Sequence, residues 1–199
     1  MARCAIEIPA AFLHVGRVKL VPVALAALAT ALAGCEEARP TAVTQPTAAP
    51  PLLNLQGPAY LTNAQPRLQT MKLYVGPEEL VAELALKPVE IYTGMMWRTN
   101  MAENEAMLFV FSAPEQRAFY MRNTFVPLSL AYIDPSGLIL EIHDLQPRNE
   151  TSVPSRSNNI QFVLEVPQGW FQRHKISTGT VVRCQYGELR NSFSFRRTP

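Results

Sequence analysis

Cysteine is scarce in this chain, and glycine is scarcer than proline. The three cysteines, Cys4, Cys35 and Cys184, form no paired C-x-x-C. No H-E-x-x-H helix motif and no phosphate-cradling glycine loop occur, and Ser129, Ser136 and Ser155 each lack a G-x-S-x-G elbow. Surplus charge is missing as well. Residues 1–34 hold Arg3, Arg17 and Lys19 against Glu7, which leaves 18 − 3 = 15 basic and 16 − 1 = 15 acidic residues in the remainder. A body of zero net charge lacks the clustered basic surface that replaces counterions on nucleic acid, so nucleic-acid binding is set aside. Nine glycines stand against 17 prolines, and much of the proline lies before residue 70, so the chain is not expected to be uniformly folded. No apolar run is long enough for a comfortable membrane span. The longest, Leu20 to Leu32, falls short of the ~20 residues a helix needs.

What that run does resemble is an address. "VKLVPVALAALATALAGC" has a basic start, an apolar stretch and small residues ahead of Cys35, the layout of a secretory signal over residues 1–34. Leu32-Ala33-Gly34-Cys35 resembles the bacterial lipobox, which implies cleavage before Cys35 and a diacylglycerol on its thiol. Small side chains let a peptidase reach the backbone, and only a thiol makes the thioether. Val18 would give a compact signal if it were the true start, and a precursor peptide upstream of Val18 would refute that. Glu36, rather than Asp, follows the cysteine, which favours the outer membrane facing the periplasm where there are two membranes. Cys184 alone in "TVVRCQYG" reads as a small buried hydrophobe.

Residues 35–69 read as a lipidated cysteine and a flexible Pro/Ala/Thr-rich tether, too poor in apolar period to offset the entropy of ordering it. Leu52, Leu53, Leu55, Tyr60 and Leu61 could dock as a short arm. From residue 70 to 199 the texture is that of one domain. Strands are predicted in "TMKLYV", "LVAELALK", "AMLFVFS", "RAFYMRN", "PLSLAYID", "LILEIHDL", "NIQFVLEV" and "TVVRCQYG", the last closing the sheet. Short helices are predicted from Pro88 and over "WFQRHKIS". Asp134-Pro135-Ser136-Gly137 has the residues of a type I turn and marks a hairpin. The sum is an α+β, mainly β domain with a small barrel-like sheet and one or two short helices.

"GMMWR" at 94–98, "MLFVF" at 107–111, "FYMRNT" at 119–124, "VPLSLAYID" at 126–134 and "VLEVPQGW" at 163–170 occur in an order that resembles domain-of-unknown-function family 192 (UPF0127-type). The resemblance implies a small mixed fold with a barrel-like sheet, often exported or membrane-attached, and of unassigned biochemical role. It also exposes two departures. Family members often carry Gly at the position of Ala106 and an acidic residue at that of Ser129.

The polar triplet Arg122-Asn123-Thr124 interrupts an aromatic and aliphatic run at a strand end. Such residues commonly satisfy the backbone of a tight connection. Alternatively, Arg98, Arg122, Asn123 and Thr124 rim a pocket floored by Trp97 and Tyr120, suited to an anionic or sugar-like ligand. Met95, Met96, Met101, Met107 and Met121 crowd into 27 residues; they fill an irregular core, or more weakly would suit Cu(I). No other metal and no cofactor is expected. His143 beside Asp144 is the nearest approach to an acid–base pair, but adjacent strand residues point to opposite faces. The sequence therefore points to a lipid-anchored envelope protein, leaning away from catalysis, that binds a small ligand, envelope polymer or partner. An enzyme acting on envelope glycan through His143 or Asp144, and a structural accessory with no ligand, are the alternatives.

Overall fold

The computed structural model describes residues 60–194 and a two-residue strand, β1 (Ile6–Glu7). Apart from Ile6–Glu7, the residues read as the signal lie outside the described residues, as do Cys35, Leu52, Leu53 and Leu55. The domain is built on one eight-stranded sheet. Its strands are β2 (Thr70–Val75), β3 (Glu78–Ala85), β4 (Glu105–Glu115), β6 (Leu128–Ile133), β7 (Ile139–Leu145), β9 (Ile160–Pro167), β10 (Val182–Cys184) and β11 (Gly187–Glu188). In space they run β11-β10-β2-β3-β4-β9-β6-β7. Strands β5 (Ala118–Phe119) and β8 (Val153–Pro154) pair separately, and β12 (Phe193–Ser194) pairs in parallel with β1. Among the described residues there are three short helices, α1 (Pro88–Thr93), α2 (Trp170–Arg173) and α3 (Leu189–Ser192).

The alternating burial of "TMKLYV", outward then inward along β2, is what a sheet with one covered face requires. Strands β6 and β9 are buried along nearly their whole length because both faces are covered. One face carries Leu73, Leu84, Leu108, Ala131, Phe162 and Leu164, capped by Trp170 and Phe171 of α2. The other carries Met107, Phe109, Leu130, Tyr132 and Val163, covered by Met95 and Met121 from loops. Strands β3 and β4 are parallel, so the chain must cross over between them, and α1 lies in that crossover. Pro88 opens α1, the Glu90 carboxylate accepts the N–H groups of Leu86 and Lys87, and Gly94 ends it. A Cβ on Gly94 would stand 3.3 Å from the Phe109 ring in a left-handed backbone, so glycine lets this turn sit on the sheet.

Three expectations are corrected. The mainly β architecture holds, but the large sheet is not closed into a barrel and is barrel-like only in a loose sense. The edge strand β7 and the penultimate strand β10 approach each other at an isolated antiparallel bridge, Leu138 to Val181, just before the two strands begin, flanked by hydrogen bonds from Ile139 N–H to the Thr180 carbonyl and from Gly179 N–H to the Ile139 carbonyl. The hairpin turn makes that approach possible: Asp134 accepts from Ser136 and Leu138 N–H, Gly137 N–H donates back to Asp134, and Val182 N–H donates to the Gly137 carbonyl at 2.8 Å. A Cβ on Gly137 would stand 2.6 Å from the Val182 carbonyl oxygen and force the ends apart. "TVVRCQYG" therefore pairs with β2 through β10 and reaches toward β7 through Thr180, Val181 and Val182, without completing a continuous ladder between them. "RAFYMRN" yields only two strand residues, since Met121 N–H is taken by the Asn149 carbonyl and Asn123 O by Trp97 N–H. Among the described residues the helices number three rather than one or two.

Candidate functional site

The ladder places side chains in rows across the sheet. On the face that carries Met107, neighbouring strands set Glu83, Met107, Glu165, Leu130 and His143 side by side. Glu83 is buried, and Arg98 grips it from the loop after α1 with both guanidinium nitrogens, Nη2 standing 2.8 Å from Oε2. Leu68 N–H (2.7 Å) and Arg67 (2.8 Å) also donate to the same carboxylate, and Arg67 reaches on to Glu105 at 3.0 Å. Burial pushes the Glu83 carboxyl up, but the hydrogen bonds from Arg98, Leu68 and Arg67 outweigh it and hold the group below the ordinary carboxylate range. Sequence reasoning missed Glu83, Arg67 and Gln65. The available signal for Glu83 was a carboxylate inside the apolar run from Leu80 to Ala85.

Over this ion pair lies an open groove of about 260 Å³, lined by Ala64, Gln65, Arg67, Trp97, Arg98, Thr99 and Asn100. The segment before β2 forms one wall. Leu61 N–H donates to Thr93 Oγ1, and Gln65 Nε2 donates to the carbonyls of Glu90 and Gly94. Trp97, half-buried, is held by its indole N–H on the Leu61 carbonyl and by its edge against Phe125. Its backbone lies in the left-handed region at φ 66°, and so does that of Asn123 at φ 53°. Trp97 N–H donates to the Asn123 carbonyl at 2.8 Å, so the two unusual residues brace each other.

The six sequence-chosen residues are thereby divided. Trp97 and Arg98 line the groove, Arg98 with its charge already matched by Glu83. Tyr120, Arg122, Asn123 and Thr124 are not among the groove's lining residues. Arg122 is half-exposed, bonded to Glu150 at 2.8 and 2.9 Å and over the Tyr120 ring. Thr124 is buried and donates to the Arg122 carbonyl, closing the connection. Asn123 supplies the left-handed turn. Asn123→Ala is expected to destabilise the domain by about 1 kcal/mol, and Asn123→Gly to leave it nearly unchanged. Thermal melts of the two variants check this; equal losses would mean that the amide, not the backbone, matters.

His143 and Asp144 point to opposite faces. His143 stands 3.2 Å from Glu141 and edge-on to Tyr132, whereas Asp144 accepts a hydrogen bond from the Ser129 hydroxyl on the neighbouring strand. Ser129 in turn accepts Gly169 N–H at 2.8 Å. A carboxylate therefore stands next to position 129 after all, delivered across the ladder by Asp144. Ala106 is buried beside Ala82 in the first core. Met95, Met107 and Met121 are buried in the second core with Met101 packed against it, and Met96 is buried outside both cores.

The family described as DUF192, "Uncharacterized ACR", matches residues 71–184. The chain belongs to this family. A crystal structure from Sinorhizobium meliloti 1021, provisionally labelled a transcription regulator, is 28% identical with a TM-score of 0.58, covering 61% of this chain and 98% of that one. A protein of unknown function from Novosphingobium aromaticivorans DSM 12444 is 30% identical with a TM-score of 0.55, covering 58% of this chain and 86% of that one. No curated protein gives a significant match. The DUF192 match spans β2 to β10, and thus includes Glu83, Trp97 and Arg98 but not Gln65 or Arg67.

Proposed function

We propose that this DUF192 protein is a non-catalytic binding module, lipid-anchored through Cys35 in the bacterial envelope, that takes a small sugar-like ligand in the Trp97 groove. The observation that carries this reading is Trp97 itself, an aromatic side chain in a left-handed backbone beside a groove. Such strain is a reservoir that functional sites use for pre-organisation. An indole in an open groove offers an apolar face to a hydroxyl-bearing ring, and Thr99 and Asn100 on the exposed rim offer hydroxyl and amide partners. A sugar suits the groove better than a phosphate. Arg67 and Arg98 are already neutralised by Glu83 and Glu105, so no surplus cation faces the space. The label on the Sinorhizobium relative does not extend to DNA binding here, because the chain beyond residue 34 carries equal numbers of acidic and basic residues. The glycan-enzyme alternative loses ground, since His143 and Asp144 face apart.

The test is fluorescence titration with envelope-glycan fragments. Trp97 is half-buried and the second tryptophan, Trp170, fully buried, so a ligand-dependent signal reports the groove. Trp97→Ala is expected to weaken binding by about 2 kcal/mol, roughly thirtyfold, by equilibrium dialysis. Cys35→Ser should release the chain from membranes without changing that affinity. Binding that survives Trp97→Ala would move the ligand elsewhere, and membrane retention of Cys35→Ser would refute the anchor.

A further inference from the structure

Glu165 is the residue the groove does not explain. It lies in the middle of β9, only 5% exposed, and its Oε2 has no hydrogen-bond partner. Its ladder neighbours are Met107 on β4 and Leu130 on β6, all on the same face of the sheet. A carboxylate there cannot be matched by Arg98, which is fully engaged one row-place beyond Met107 with Glu83. An unmatched polar group in a packed interior is costly, and each such group calls for a physical explanation.

The chain above Glu165 is rich in thioethers. Phe119 packs edge-on against Phe109 and Tyr132, one row of the sheet away from Glu165. The segment then descends to Val126 and joins β6 at Leu128, whose ladder partner is Pro167, on the other side of Glu165. Met121, 1% exposed, lies in the chain between these two anchors and belongs to the same core as Met107, the ladder neighbour of Glu165. Met95 arrives from the opposite side. Gly94 before it stands close to the Phe109 ring, Arg98 after it grips Glu83, and Met95 itself belongs to the core that holds Met107 and Met121. The two covering loops are held together by the Trp97 N–H to Asn123 carbonyl bond.

We propose that Glu165, Met95, Met107 and Met121 form a buried site for a monovalent soft cation, Cu(I) or Ag(I). Thioethers select soft ions, and one carboxylate neutralises one positive charge, which a dry interior demands. A divalent ion would leave a net charge in the core. The described residues contain no cluster of three or more His, Cys, Asp or Glu that would suit a harder metal. Met96 and Met101 take no part: Met96 belongs to neither core, and Met101 only flanks the second. This site is separate from the Trp97 groove and does not depend on a ligand there.

Silver(I), which needs no reductant, is the probe. Thiols would compete, so the titration uses the full chain with Cys4→Ser, Cys35→Ser and Cys184→Ser, followed by native mass spectrometry and by ¹³C-methyl spectra of its methionines. One silver ion per chain is expected, with the methyl signals of Met95, Met107 and Met121 shifting and those of Met96 and Met101 unmoved. Glu165→Gln and Met107→Leu, both close in volume to the native side chains, should each weaken binding by roughly 10–100-fold. If serine at 184 unfolds the chain, Cys184 is retained, and a stoichiometry of two silver ions should fall to one with Glu165→Gln. No silver binding, binding indifferent to Glu165→Gln, or shifts confined to Met96 and Met101 would overturn the proposal.

Discussion

Glu83→Ala should lower the stability of the domain by about 3–5 kcal/mol, a fall in melting temperature of roughly 10–20 °C. The reason is what it leaves behind. Arg98 has a side chain only 10% exposed, and both nitrogens it points inward are satisfied by Glu83 alone. Truncating the carboxylate strands a buried cation and also frees Leu68 N–H, which Glu83 now holds against the start of β2. Arg67 is different. Its side chain is 61% exposed, so Arg67→Ala should cost less than about 1 kcal/mol. The double variant Glu83→Leu with Arg98→Met should recover most of the loss, because a buried ion pair and an apolar pair of similar volume are often equivalent. The pH dependence has a definite sign. Glu83 is held below its ordinary value in the fold, so its contribution is present above the ordinary carboxylate range and is lost as pH falls through the depressed value. Glu83→Ala should therefore show a shallower acid limb in chemical denaturation measured below pH 4.5. A small loss for Glu83→Ala, together with an unchanged acid limb, would mean that Arg98 finds another partner.

How far could residues alone reveal this arrangement? The sheet was legible wherever local period and turn chemistry decide structure. β2 alternates, β6 and β7 are joined by a turn whose Asp134 and Gly137 each have a specific task, and Pro88 opens a helix as its fixed φ requires. What was not legible depends on contacts distant in sequence. Arg98 and Glu83 are 15 residues apart with a crossover helix between them, and no periodicity links a loop arginine to one particular strand carboxylate. Closure failed for the same reason. Whether the ends of a coiled sheet pair or merely touch is set by the summed twist of eight strands, and here a single Leu138–Val181 bridge is the result. The polar triplet could be read as connector or as pocket rim, and the fold occupies two of its residues in completing a turn, Asn123 through its backbone and Thr124 through its hydroxyl. Glu165 was readable in principle. "VLEVP" puts one carboxylate in a strand apolar on both faces, and the lack of any alternating polar pattern around it already implied burial without solvent.

The metal-free protein should lose stability as pH rises from 5 to 8, and Glu165 should be the cause. Burial, unrelieved by any hydrogen bond to Oε2, pushes this carboxyl up from its ordinary 4.5 to about 8. Between those values the folded chain holds a proton that the unfolded chain has released. Stability then declines with pH at about 1.4 kcal/mol per unit; it is fully present below the unfolded value and lost as pH passes through the folded one. The other carboxylates with shifted values, Glu83, Glu90, Glu103 and Glu141, are all lowered, so their contributions change only on the acid side and do not overlap this window. Glu165→Gln is nearly the shape of the protonated side chain and cannot ionise. Its urea midpoint should match the wild type near pH 5, stay level to pH 8, and exceed the wild type there by an amount on the order of a few kcal/mol. Parallel curves for the two proteins would show that Glu165 is ionised in the fold and therefore has a partner. A crossing near pH 5 would establish a neutral acid in a core of thioethers, kept in a strand where any aliphatic side chain would be more stable at neutral pH.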